Sequence, residues 1–130
     1  MILLDTHIVI WLLGNLSRLS QAANQAIQIA RTGGKGLAIS SLTLFEIAQL
    51  IARSRVQVAV PLEVFIQDVE ARFIVKPVTG RTAILSARLS AAYPKDPIDR
   101  LIGATALIEG IPLVTADQKI RSAPDVQTIW

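Results

Sequence analysis

Short, wholly apolar runs alternate along this chain with longer stretches of helical periodicity. Ile2-Leu3-Leu4, Leu37-Ala38-Ile39, Phe73-Ile74-Val75 and Leu113-Val114 are too short for helices and predict buried strands, and Val126 to Ile129 is a candidate fifth. The first helical stretch runs through Leu13 and is stopped by Gly14-Asn15. Ser20 predicts a capped helix to about Ala30, with Gly33-Gly34 beyond its end. Further helices are predicted from Ser41 to about Ala52, from Pro61 as first helical residue to about Ala71, and from Thr79 to Ser90. Asp96-Pro97 opens another that Gly110 ends after Glu109, and a short turn follows Asp117. Strands that are apolar throughout and separated by helices predict an α/β fold. Its centre is a parallel sheet of about four to five strands flanked by helices on both faces. In such sheets the functional crevice lies at the carboxyl ends of the strands.

Composition narrows the class. The 130 residues fit one domain spanning 1–130, and 52% hydrophobic against 18% charged residues is ample for a core. No uncharged apolar run reaches the ~20 residues of a membrane span. Met1 to Asp5 lacks a basic start and carries an acid, so it reads as a poor signal peptide. With no cysteine, disulfides, iron–sulfur clusters and thiolate zinc sites are excluded, and a reducing cytoplasm is the simplest setting. A net charge of +3 permits a phosphate-rich partner without requiring one, and 5% aromatics argues against a base-stacking platform.

The placement of the acids changes the picture most. Of ten, Asp5 directly follows the first strand, and Glu46 lies in an apolar stretch after the second. Asp96 and Asp99 open the helix before the fourth strand, and Asp117 follows that strand. Each has a structural explanation by itself. Asp5 and Asp117 suit helix caps, Thr43 and Glu46 fit a capping box, Asp96 is a good N-cap before Pro97, and Asp99 suits the helix dipole. Capping does not require them all at one end of one sheet, and burying an unpaired carboxylate such as Glu46 is costly. Clustered carboxylates repel, and a divalent cation removes the penalty. Oxygen ligands with a single histidine in the chain select Mg²⁺ or Mn²⁺ over zinc. Such a site suits phosphodiester hydrolysis by an activated water.

Leu4-Asp5-Thr6-His7 with Trp11-Leu12, Ser40 through Glu46, Asp96 through Ala106, and Leu113 through Asp117 together resemble a PIN domain. More narrowly, they resemble the VapC toxins of type II toxin–antitoxin systems. The similarity covers essentially the whole chain, in order. It implies a Mg²⁺- or Mn²⁺-dependent endoribonuclease whose acidic site falls on Asp5, Glu46, Asp99 and Asp117. It places a supporting hydroxyl at Thr115 and a small polar residue at Thr6. It also implies a homodimer, and a small antitoxin whose C-terminal segment covers the active site. Gly103 departs from the family's usual alanine and predicts close helix–sheet packing, since glycine is a poor helix former. Asp96 is an additional acid, read mainly as the N-cap and otherwise as a supporting contact.

Other residues have a functional and a structural explanation side by side. His7 is a candidate phosphate contact or proton carrier, and a partly exposed first-turn residue is the favoured alternative. Arg100 is expected either at phosphate or paired with Asp96. Arg53, Arg55, Lys95, Lys119 and Arg121 are candidates for an RNA path, against ordinary surface charge. Trp11 reads as a core or partner contact. Phe45, Ile47, Leu50 and Ile51, with Leu62, Phe65, Ile66 and Val69, form either core or a groove for an antitoxin helix. Two competing classes remain. A non-catalytic PIN-like binding module would keep the fold without turnover. A Mg²⁺-dependent receiver-type signalling domain would need an acidic pair early and an acceptor Asp after the third strand, where Pro77-Val78-Thr79 stands.

Overall fold

The computed structural model describes residues 1–130. Its centre is a five-stranded sheet of β1 (Ile2–Leu4), β2 (Leu37–Ser40), β3 (Ile74–Lys76), β4 (Leu113–Val114) and β5 (Thr128–Ile129). The spatial order is β3-β2-β1-β4-β5, and every neighbouring pair is parallel. The helices are α1 (Thr6–Gly14), α2 (Gln21–Thr32), α3 (Ser41–Ala52), α4 (Leu62–Arg72), α5 (Gly80–Arg88), α6 (Pro97–Glu109) and α7 (Gln118–Ser122). A 3₁₀ turn at Leu16–Arg18, which the sequence pattern did not predict, links α1 to α2.

The apolar strands bury both faces because alternate side chains point to opposite sides. Ile2, Leu4, Leu37, Ile39 and Val114 enter one core with Ile8, Val9, Leu12, Ile27, Ile47 and Val69 from α1 to α4. Leu3, Ala38 and Leu113 point the other way, into a second core with Leu89, Tyr93, Ile102, Ala106 and Ile120. Each fully buried Leu or Ile contributes about 1.5–3 kcal/mol, so the two cores hold the sheet rigid beneath the site.

Helix starts follow their caps. Ser20 accepts from Ala23 N–H, Ser40 from Leu42 N–H and Asp96 from Ile98 and Asp99 N–H. Pro61 is the residue before α4 rather than its first residue, and Thr79 caps α5 through a reciprocal bond with Thr82. β3 lies one residue later than expected. Phe73 closes α4 as its C-cap, and Ile74 is exposed on the sheet edge. Gly110 ends α6 in the left-handed conformation that glycine adopts without strain.

The strand order decides where a site forms. The chain builds outward from β1 through β2 to β3, then returns to the other side of β1 for β4. The crevice between β1 and β4 is therefore the topological switch point, the usual ligand position in parallel α/β sheets. A receiver domain has the order 2-1-3-4-5 instead, so that reading is excluded by topology. No helix is long and apolar enough to cross a membrane.

Candidate active site

Asp5 follows β1 at the switch point and is 4% exposed. One carboxylate oxygen accepts from Thr6 N–H at 2.9 Å, and the other from the Thr115 hydroxyl at 2.8 Å. Thr115 is fully buried one residue past β4, and its oxygen also accepts from Asp117 N–H at 3.1 Å. Thr115 thus fixes two of the expected acids relative to each other. Asp117 caps α7, accepting from Lys119 and Ile120 N–H.

Glu46 is not part of a capping box, because Ser40 caps α3 and Thr43 lies inside the helix. It sits in the second turn of α3, where its carboxylate accepts a short hydrogen bond from the Thr6 hydroxyl. Thr6 lies 3.1 Å from the buried Thr43 hydroxyl, so a relay Thr43–Thr6–Glu46 ties α3 to α1. Thr43 had no functional signal in the sequence beyond its three-residue spacing to Glu46. Asp99 projects from the first turn of α6, and its carboxylate accepts no hydrogen bond.

These side chains arrive from four elements and line one pocket of about 160 Å³, with Thr6, His7, Ile10 and Leu50. Asp99 and Asp117 also line an adjoining cavity of about 460 Å³ with Asp96, Lys95, Lys119 and Tyr93. The electrostatics record the crowding. Burial first, and then the charges of Asp5, Asp96, Asp117 and Glu46, push the Asp99 carboxyl up to about 7. Burial also raises Glu46, partly offset by the Thr6 hydrogen bond, with Asp5 and Asp96 adding to the rise.

The donor set fits a hard divalent cation in type, being carboxylate oxygens and hydroxyls around one small pocket. Its charge fits too, since burial and then the neighbouring carboxylates disfavour a charged Asp99, and a cation offsets both. As placed, no three of the acids and His7 stand close enough to share an ion. Asp99 has no hydrogen bond to restrain it.

Several expected phosphate contacts have other roles. Arg100 touches neither phosphate space nor Asp96. Its guanidinium donates to the carbonyls of Ser86, Leu89, Tyr93 and Pro94, clamping the α5–α6 connection onto α6. A planar, always-charged fork meets four carbonyl dipoles there, so its donors are engaged within the chain. His7 is a tether. Its Nε2 accepts Ala116 N–H at 3.0 Å, joining α1 to the segment after β4. That bond requires an unprotonated Nε2, and burial lowers the imidazole pKa against the opposing pull of Asp5 and Asp117. The Nδ1 atom lies 3.8 Å from an Asp5 carboxyl oxygen.

Of the basic candidates, Lys95 and Lys119 stand beside the acids, whereas Arg53 and Arg55 lie past the end of α3 and Arg121 is exposed on α7. Asp96 is the exposed N-cap of α6 and adds charge to the site. Ile47 and Val69 are core, Phe45 is 53% exposed, and Phe65 helps line a largely apolar groove of about 590 Å³. Trp11 lines the same groove, flanked by His7, by the Arg18 guanidinium at 4.4 Å and by Trp130. Gly103 does pack closely, but against Tyr93 rather than the sheet: a Cβ there would meet the Tyr93 hydroxyl at 2.3 Å.

Comparison with known proteins agrees with this architecture. The PIN domain family model matches residues 2–126. Ribonuclease VapC22 of Mycobacterium tuberculosis is 37% identical over 131 residues, covering 99% of this chain and 98% of its own length. Among solved structures, VapBC2 of Rickettsia felis, bound to a promoter DNA fragment, superposes with a TM-score of 0.72 at 18% identity, covering 98% of this chain and 97% of that one. A toxin–antitoxin complex from Klebsiella pneumoniae gives 0.68 at 22% identity, covering 97% and 95%. Sheet order, acidic crevice and these matches agree, and the chain belongs to the PIN-domain family, in its VapC group.

Proposed function

We propose that this chain is a Mg²⁺- or Mn²⁺-dependent endoribonuclease, the toxin of a toxin–antitoxin pair, with Asp5, Glu46, Asp99 and Asp117 as its catalytic, ion-holding residues. The observation that carries the reading is the meeting of those four carboxylates, from four elements, in one pocket at the switch point of the sheet. A bound divalent ion supplies a more acidic water for attack and neutralises charge on the phosphate oxygens.

The chain's own residues do the rest. Asp5 is held rigid by Thr6 N–H and Thr115, so it presents a fixed anchor. Thr6 orients Glu46 through its hydroxyl. Asp99 and Asp117 line both the acidic pocket and the adjoining cavity, so they stand where the two join. Lys95 and Lys119 supply positive charge beside the acids for the RNA backbone. The apolar groove beside His7 and Trp11 adjoins the acidic pocket, since His7 and Ile10 line both, and we assign it to the antitoxin. The homodimer and the cytoplasmic setting belong to the same reading, with residues 1–130 acting as one unit.

The test is incubation of the purified protein with total and structured RNAs in Mn²⁺, in Mg²⁺ and in EDTA, beside a folded Asp5→Asn variant. Cleavage that needs the metal and is lost in the variant is the expected result. Mn²⁺ binding without cleavage of any RNA favours the non-catalytic module. Absence of metal binding returns the four acids to helix capping.

A further inference from the structure

The buried side-chain polar atom without a partner is the hydroxyl of Tyr93. The residue is 1% exposed, with its ring in the second core and its hydroxyl against Gly103. A buried donor is nearly always satisfied in a native protein, so an orphan calls for a physical reason. Its surroundings supply one. Burial raises its pKa, and the carboxylates of Asp5 and Asp99 lead the charges that add to the rise, so the phenol stays a neutral donor. Asp5 has donors on both of its oxygens, whereas the Asp99 carboxylate accepts no hydrogen bond. Asp99 and Gly103 are four residues apart on α6 and so share one face. Gly103 leaves the space over that face into which the Tyr93 ring fits. Arg100 fixes the Tyr93 backbone by donating to its carbonyl and that of Pro94.

We propose that Tyr93 is a positioning residue of the acidic site, its hydroxyl donating to the Asp99 carboxylate when that unrestrained side chain turns toward it, with Gly103 admitting it. The inference rests on the reading of Asp99 as an ion-holding residue. A phenol at this place restrains the otherwise free Asp99 side chain, and a hydrogen bond to a carboxylate is of the stronger, charge-assisted kind.

The test is a Mn²⁺ titration by calorimetry on the full chain as wild type, Tyr93→Phe, Asp99→Asn and the double variant. Circular dichroism and the unfolding midpoint are measured on each. Tyr93→Phe keeps the ring and removes only the orphaned hydroxyl, so its midpoint is expected to hold or rise. Its Mn²⁺ affinity is expected to fall about tenfold, the usual effect of losing a partner of a metal ligand. In the Asp99→Asn background the same change is expected to have no further effect. Gly103→Ala, which drives a methyl into the hydroxyl, is expected to lower the affinity as well. Unchanged affinity in Tyr93→Phe, or an equal loss in both backgrounds, overturns the proposal for Tyr93 alone. Wild type that binds no Mn²⁺, or Asp99→Asn that binds as well as wild type, overturns the ion-holding reading and this inference with it.

Discussion

Replacing Asp99 by Asn removes one negative charge from the acidic pocket at nearly constant side-chain size. In the metal-free folded chain this carboxyl titrates near 7, against an ordinary value of 3.8. Between those values the folded chain keeps a proton that the unfolded chain has released. Stability from this group is therefore greatest below about pH 4 and declines until about pH 7, where the penalty is complete. At face value the gap corresponds to about 4 kcal/mol. Asp99 is only partly buried, and solvent screening reduces this to about 1–2 kcal/mol. The assay is urea unfolding of wild type and Asp99→Asn in EDTA from pH 5 to 8. The variant is expected to gain on wild type as the pH rises, and to be the more stable by about 1–2 kcal/mol at pH 8. Adding Mn²⁺ at pH 8 is expected to stabilise wild type more than the variant, because a ligand stabilises the state that binds it. A difference that does not change with pH, or a variant less stable than wild type at pH 8 in EDTA, refutes the reasoning.

His7 works in the opposite sense. Burial lowers its pKa, so the folded chain releases a proton that the unfolded chain keeps, and stability is lost as the pH falls below about 6.5. His7→Asn is expected to flatten that part of the pH–stability curve. Thr115→Val keeps the shape but strips a donor from buried Asp5 and an acceptor from Asp117 N–H. Urea unfolding should show a loss of about 1–3 kcal/mol, and RNA cleavage should slow at least about tenfold. Arg100→Lys leaves most of four carbonyls without their donor and should cost about 2–4 kcal/mol in the same assay. Because the Arg100 donors are engaged by backbone carbonyls, the dependence of RNA affinity on salt should be unchanged in that variant.

How much of this was legible in the sequence depended on whether the signal was local. The apolar runs at Ile2–Leu4, Leu37–Ile39 and Leu113–Val114 named their strands, and Ser20 and Asp96 named their helix starts, because periodicity and capping act within a few residues. The edge strand slipped by one residue, since Ile74 is exposed and burial does not fix its register. The four acids were legible because carboxylates in apolar company are costly. What surrounds them was not, since the Thr43–Thr6–Glu46 relay and the Thr115–Asp5 bond join residues 37 to 110 positions apart. Arg100 is the clearest case. Its place next to Asp99 suggested phosphate, yet its direction is set by carbonyls 6 to 14 residues upstream. Gly103 was visible as a departure from the family, but its partner Tyr93 emerged only when the α5–α6 connection was seen folding back over α6.

The most direct test of the central account is the end chemistry of the RNA fragments. Water attack in a carboxylate-held metal site leaves a 5′-phosphate and a 3′-hydroxyl. The account predicts those ends, produced in Mn²⁺ or Mg²⁺ and absent both in EDTA and with the folded Asp5→Asn variant. Fragments carrying a 5′-hydroxyl and a 2′,3′-cyclic phosphate, or cleavage that survives EDTA, would contradict it.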